Sequence, residues 1–425
     1  MLYTKITFLG GIGQYPLRVD WKFIQPGEQN LYKYLLKKKH RQSLKIHCIL
    51  IPVMVKLHEV KSRKDLKGFI KFPYKLYKNN AYWVPPLIFD EINTLSPKKN
   101  PSFEYCQARY WLAYEDGQIL GRIAAIRNDK FIEKWKQNYL RFGWFDTVNR
   151  IDVAAALLGA VEKWAAEQGL EAIHGPLGFT DLDKEGLLIE GFKERGTLPM
   201  IYNHAYYPAL LEQLGYRKDV DWLQFEIKVP EQIGEKFTRM RDLVLQRNNL
   251  NLLHFKRTKD VLAYGKGLFD TLNAAYTDLY GVVELTQKQV DSYIKQYLGF
   301  VNPDFIKILT DEKDEVVGFA IAMPRLTEAL QKSSGRLFPF GFYHLLKALK
   351  HPTELVFYLI GIRPDYQSRG INAILLTELY RECMEYGITL VQTCGELEDN
   401  SNIITLMKNF ETRINKRRRC YIRRL

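Results

Sequence analysis

No apolar run in the 425-residue chain approaches the roughly 20 residues that a membrane-spanning helix needs. The best candidate, Ile46 to Val55, is too short and contains His47. It follows the basic cluster Lys37-Lys38-Lys39-His40-Arg41 but lacks a small-residue cleavage site, so it does not read as a secretory signal. Cysteine is scarce: Cys48, Cys106, Cys383, Cys394 and Cys420 are odd in number and show no CxxC spacing. That excludes a disulfide scaffold and a structural zinc ribbon, and it points to a reducing, cytoplasmic setting. Low-complexity tracts and short-period repeats are absent, which excludes collagen, mucin and solenoid classes. His174 and His204 each stand without a second ligand at helical spacing, so no metal site is expected.

What is present fits a folded chain of two ordinary domains: 46% of residues are hydrophobic, 13% aromatic and 26% charged. The formal charge of +14 is concentrated at the ends. Residues 1–53 hold nine Lys/Arg against two acids, Asp20 and Glu28, and residues 413–425 hold seven Lys/Arg and no acid; the remainder is balanced. A nucleic-acid-binding domain usually lines one face of its fold with cations, so sequence-specific nucleic-acid binding is not expected. Residues 1–53 also differ in texture, because Gly10-Gly11-Ile12-Gly13 and Gln25-Pro26-Gly27 interrupt any period. They read as a basic leader outside the native fold, with Met54 as the biological start.

From Lys56 onward strand-like and helix-like segments alternate, the signature of an α/β class. Tyr110 to Tyr114 and Gln118 to Arg127 flank Glu115-Asp116-Gly117, an Asp-Gly hairpin turn. Phe305 to Thr310 and Glu315 to Met323 repeat the device. Each hairpin leads to a further strand, Phe142 to Val148 or Glu354 to Ile362, and then to an amphipathic helix, Asp152 to Gln168 or Asn372 to Tyr386. Gly169 and Gly387 stand where left-handed caps are expected. The two halves thus read as copies of one unit, 54–230 and 231–425, divided at Pro230.

Chemistry concentrates after the strand Val356 to Ile362. Pro364 ends the strand, Gln367-Ser368-Arg369-Gly370 forms a short turn, and a helix starts at Ile371-Asn372. A glycine turn opening a helix presents unpaired backbone N–H groups to an anion, and Arg369 adds a charge. With Gln367 and Gly370 at the right spacing, this segment resembles the cofactor loop of the GCN5-related N-acetyltransferase (GNAT) superfamily, though Asn372 stands where Gly or Ala is usual. The resemblance implies two GNAT-like domains, each a mixed, mostly antiparallel central sheet flanked by helices, with the cofactor loop only in the second. It implies that the amides of Ser368, Arg369, Gly370, Ile371 and Asn372 hold the pyrophosphate of acetyl-CoA or another acyl-CoA. Ile360 and Ile362 would pair with the pantetheine arm across a splay between the fourth and fifth strands. Asn400, at the start of the helix Asn400 to Phe410, falls where a coenzyme A contact is usual. Seven residues on, where many members carry a thiolate-protonating Tyr, stands Met407.

The first half resembles the same fold without the loop: only Asn149-Arg150-Ile151 joins its strand to its helix. By this reading the chain is a cytoplasmic N-acyltransferase, acetyl or longer, acting on a small-molecule or peptide amine. Catalytic residues are not assigned. Glu354 and Glu396 are the carboxylates nearest the expected cleft, and each reads equally as a solvated strand end. Tyr358 and Tyr366 read as cleft wall. Two rivals remain: a non-catalytic acyl-CoA sensor or interaction module, and an aminoacyl-tRNA-dependent aminoacyltransferase, a class that also uses tandem copies of this fold. The insertion Pro324 to Pro352 mixes aromatic and basic residues, so covering an acyl chain, peripheral membrane contact and docking on the other half are all open, with docking the default.

Overall fold

The computed structural model describes residues 4–5, 51–52, 55–298 and 301–425. The leader expected at 1–53 and the start at Met54 therefore lie outside the described residues, apart from an antiparallel pairing of Thr4–Lys5 with Ile51–Pro52.

Residues from Lys56 form one unit around a 14-stranded sheet. The first half supplies β1 (Lys56–Glu59), α1 (Arg63–Leu76), α2 (Ile88–Thr94), β2 (Cys106–Glu115), β3 (Gln118–Asn128), β4 (Tyr139–Thr147), α3 (Ile151–Glu167), β5 (Ala172–Gly175), β6 (Leu187–Glu190), α4 (Tyr207–Gln213) and β7 (Arg217–Lys228). The second supplies α5 (Glu235–Arg247), β8 (Asn251–Leu253), α6 (Gly265–Tyr276), α7 (Gln287–Gln296), β9 (Ile306–Thr310), β10 (Val316–Pro324), α8 (Thr327–Ser333), α9 (Gly341–Lys350), β11 (Leu355–Ile362), α10 (Ile371–Glu385), β12 (Leu390–Thr393), β13 (Glu396–Leu397), α11 (Ser401–Met407) and β14 (Thr412–Arg424).

Local chemistry accounts for the boundaries. Asp116 and Gly117 both adopt positive φ, which matches the twist of the β2–β3 hairpin. Helix α1 starts in a capping box: Ser62 Oγ accepts from the Asp65 amide at 3.1 Å, and the Asp65 carboxylate accepts from the Ser62 amide at 3.0 Å. Gly169 and Gly387 take φ of +66° and +67° just past α3 and α10.

The main path of the sheet runs β8-β9-β10-β11-β12-β7-β14-β5-β4-β3-β2-β1. Its pairings are antiparallel except β11 with β12 and β4 with β5, the corresponding pair of each half. The last strand of each half completes the other: β7 pairs with β12, and β14 pairs with β5. A long β7–β14 ladder, from Ile227 opposite Thr412 to Arg217 opposite Ile422, is the seam. Helix α10 packs Ile374, Leu375 and Leu379 onto the sheet at 0–1% exposure, each contributing about 1.5–3 kcal/mol.

The basic tail is thus a strand inside the sheet, between β7 and β5. Arg418 is buried, donating to Gln224 Oε1 at 2.9 Å and to the Ile201 carbonyl. Arg419 pairs with Asp221 at 2.8 Å, Arg413 with Glu194 at 2.9 Å and Arg423 with Glu162 at 2.8 Å. Asp221 lies on β7, Glu162 on α3 and Glu194 in the loop after β6, so these cations are neutralised by partners in the sheet and beside it.

Candidate active site

On β11 the ladder to β10 slips between Ile321 opposite Leu359 and Ala322 opposite Phe357, which leaves Tyr358 as an extra, bulged residue. On its other edge β11 pairs with β12 only from Leu355 to Phe357, and the last rung is the Cys394 amide to the Phe357 carbonyl at 3.2 Å. The chain then turns away at Gly395, where a Cβ would stand 3.1 Å from Trp222, and β13 follows β7 instead. The two strands therefore splay beyond Phe357.

Along the opened edge, Arg363 donates its amide to Val317 on β10, so alternation turns the backbones of Ile360 and Ile362 toward the gap. The Ile360 carbonyl accepts from the Tyr276 hydroxyl at 3.0 Å, and the Ile362 carbonyl accepts from Gln367 Nε2 at 3.2 Å. Gln367 is thereby folded back on its own strand. Ser368 (φ +61°) and Gly370 (φ +85°) are both left-handed, and Gly370 is the N-cap of α10; Asn372 lies in the first turn and does not cap it. Among the described residues, the amides of Ser368, Arg369, Gly370, Ile371 and Asn372 have no hydrogen-bond partner. These five consecutive free donors stand at the positive end of a 15-residue helix, the end whose dipole favours an anion. Ser368, Arg369 and Gly370 are exposed, whereas the Ile371 side chain is in the core and offers only its amide. Arg369 stacks on the Tyr366 ring at 4.8 Å and pairs with no carboxylate among the described residues. In the first half the equivalent helix start is tied by Arg150, which contacts Glu115 at 2.8 Å as well as Asp152.

Behind the splay lies a cavity of about 430 Å³ lined by both halves. Phe357 to Ile360, Glu396, Asn400 and Met407 face it from the second half, and Leu87, Trp144, Asp181 to Glu185 and Leu198 face it from the first. Asn400 also caps α11, its side chain accepting from the Ile403 amide at 3.3 Å. Of the cofactor residues read from sequence, Ile360 and Asn400 reach the cavity, while Gln367 to Asn372 form a turn that does not line it. Leu376, one turn into α10, does.

The cavity wall carries perturbed groups. Burial alone pushes the Glu396 carboxyl up to about 7. Burial, reinforced by Asp181, pushes Glu185 up to about 8, and burial raises Asp181 to about 6. These side chains keep part of their surface, but it faces the cavity, where surrounding protein desolvates the charged form. Burial also raises the Tyr358 hydroxyl, which has no hydrogen-bond partner among the described residues, and pushes the Cys394 thiol up to about 12. Glu354, the other carboxylate singled out by sequence, is instead paired with Arg195 at 2.9 Å and Arg325 at 2.5 Å, outside the cavity.

Sequence reasoning missed Asp181 to Glu185. Four charged residues in five read as a surface turn; the available signal was their position between the apolar stretches Leu177-Gly178-Phe179 and Gly186-Leu187-Leu188. His174, Asp219 and Cys420 bring ligand-type atoms within 4.8 Å of one another, but the Tyr280 hydroxyl bonds all three, including His174 Nδ1 at 3.0 Å. His204 packs against Tyr77 and Tyr206.

No family model matches the chain. Protein YghO of Escherichia coli (strain K12) is 30% identical over 368 residues, covering 85% of this chain and 93% of that protein. The bacterial ceramide synthase of Caulobacter vibrioides (strain NA1000 / CB15N) is 25% identical over 297 residues, 68% of this chain and 75% of that protein. Among solved structures, a tandem GNAT protein from the clavulanic acid biosynthesis pathway superposes with a TM-score of 0.51 at 11% identity, over 87% of this chain and 98% of that one.

Proposed function

The chain belongs to the family of Protein YghO and has a tandem GNAT fold; from that premise we propose that it is a coenzyme A-dependent N-acyltransferase, transferring a long acyl chain to the primary amine of a long-chain amino alcohol. The observation that carries the reading is the run of five free amides from Ser368 to Asn372 beside the splayed edge of β11. It supports a diphosphate at the helix start and a pantetheine arm along Ile360 and Ile362, with the thioester directed into the cavity. The second half, which bears the turn, is the donor side; the first half contributes the opposite wall.

Acyl transfer to nitrogen needs a neutral amine. Glu396, with its carboxyl held near neutrality, takes the ammonium proton; the amine nitrogen attacks the thioester carbon, the C–S bond breaks, the departing thiolate takes a proton from the acid, and the second proton that the nitrogen sheds as the amide forms restores that acid. Met407 cannot supply that proton. Tyr358 on the bulge faces the same cavity with a protonated, unpartnered hydroxyl and takes the acid role. Asp181 and Glu185 face the acceptor from the first half. The mostly apolar wall, with Ile321, Met323, Phe357 and Leu359, supports an acyl chain longer than acetyl, and the printed name of the Caulobacter relative supports an amino-alcohol acceptor.

Incubation with a long-chain acyl-CoA and sphinganine tests this. Stoichiometric release of coenzyme A thiol and an amide product by mass spectrometry are expected. Thermal stabilisation by acyl-CoA with no thioester consumed across a panel of amines would instead identify a binding module.

A further inference from the structure

The segment joining β10 to β11 carries a surface that the catalytic reading leaves unused. Phe338, Phe340, Phe342, Tyr343 and Leu346 are 78%, 73%, 46%, 58% and 51% exposed. Most large apolar residues in the rest of the fold are buried, so this cluster is a local exception. Helix α9 is held from beneath by Leu345, Ala348 and Leu349, which pack on Val84, Leu326 and Leu330 together with Leu87 and Leu198. Its outer side therefore presents aromatic and aliphatic groups by design of the packing.

Charge identifies the partner. From Ala329 to Thr353 the chain has Lys332, Arg336, Lys347 and Lys350 and no Asp or Glu. All four cations are exposed, and none makes an ion pair among the described residues. The flanking acids are already spent, Glu328 and Glu354 both on Arg195 and Arg325. A second copy docking the same face would bring like charges together. Exposed aromatics among unpaired cations fit an anionic lipid surface, where rings sink to the headgroup boundary and cations meet phosphates. Leu87 and Leu198 both support α9 and line the cavity, so one side-chain layer separates this surface from the cavity.

We infer that Phe338 to Lys350 is a membrane-surface anchor that seats the protein on anionic lipid headgroups. This stands without the acyltransferase reading, because vesicle binding is measured without turnover.

The test is co-sedimentation of the full chain with phosphatidylcholine vesicles and with phosphatidylcholine vesicles containing phosphatidylglycerol. Two variants are compared: Phe338→Ser with Phe340→Ser, and Lys347→Glu with Lys350→Glu. The altered side chains are exposed, and unchanged circular dichroism and melting temperature check folding. The wild type should bind the anionic vesicles, release as salt rises, and bind pure phosphatidylcholine more weakly; each variant should lose about tenfold or more in affinity. No binding by the wild type overturns the inference. Equal binding by wild type and variants also overturns it, and transfers the contact to the basic N-terminal segment. A wild-type dimer that the variants dissociate, without vesicle binding, overturns it in favour of a second copy.

Discussion

Replacing Glu396 by Gln should separate the proposed base from its surroundings through both stability and rate. In the fold the carboxyl is held near 7 against an ordinary 4.5, so between those pH values the native state keeps a proton that the unfolded state has released. Stability therefore falls as pH rises from about 4.5 to 7 and is flat above. The full shift corresponds to about 3 kcal/mol, and water entering the cavity reduces it to about 1–3 kcal/mol. The E396Q variant lacks this loss. Urea unfolding at pH 5 and pH 8 should show it gaining that amount on the wild type at the higher pH. Asp181 and Glu185 also titrate upward in this cavity, but they are present in both proteins and largely cancel in the difference. Kinetically, wild-type turnover should rise with pH through a step near 7, whereas E396Q should lose that step and about 10²-fold or more in kcat. Equal pH dependence of stability in the two proteins, or an unchanged rate profile, would refute the argument.

Gly370→Val places a side chain at φ +85° with its Cβ 3.1 Å from Val244 Cγ2; it should cost about 1–3 kcal/mol and abolish most of the thermal shift given by coenzyme A, read by differential scanning fluorimetry. Tyr358→Phe removes a hydroxyl that has no partner among the described residues, so melting should be unchanged or slightly raised while kcat falls about 10²-fold with KM little altered, measured by thiol release. Arg418→Met leaves Gln224 Oε1 and the Ile201 carbonyl unpaired at the seam, while Gln224 Nε2 still donates to the Thr393 carbonyl; urea titration should show a loss of about 1–3 kcal/mol without a selective effect on coenzyme A affinity.

Locally encoded features were readable from the chain. The Asp116-Gly117 turn, the caps at Gly169 and Gly387, and the turn at Gln367 to Gly370 depend on residues within a few positions of one another, and the structure has each. The exchange of β7 and β14 was not readable. Arg417-Arg418-Arg419 looks like a solvated tail until Asp221 and Gln224, about 195 residues earlier, are placed beside it. Glu354 and Glu396 were equivalent in sequence, both near strand ends. Two arginines capture one and the cavity takes the other, because β12 leaves β11 at Gly395. The acidic loop Asp181 to Glu185 has surface-like composition and acquires its environment only when the second half closes over it.

A crystal structure of the protein with coenzyme A bears most directly on the account. The diphosphate oxygens should lie within hydrogen-bond distance of the amides of Ser368 to Asn372, with the pantetheine arm along Ile360 and Ile362 and its sulfur directed into the cavity toward Tyr358 and Glu396. A cofactor bound elsewhere, or that helix start unchanged and empty at saturating coenzyme A, would contradict it.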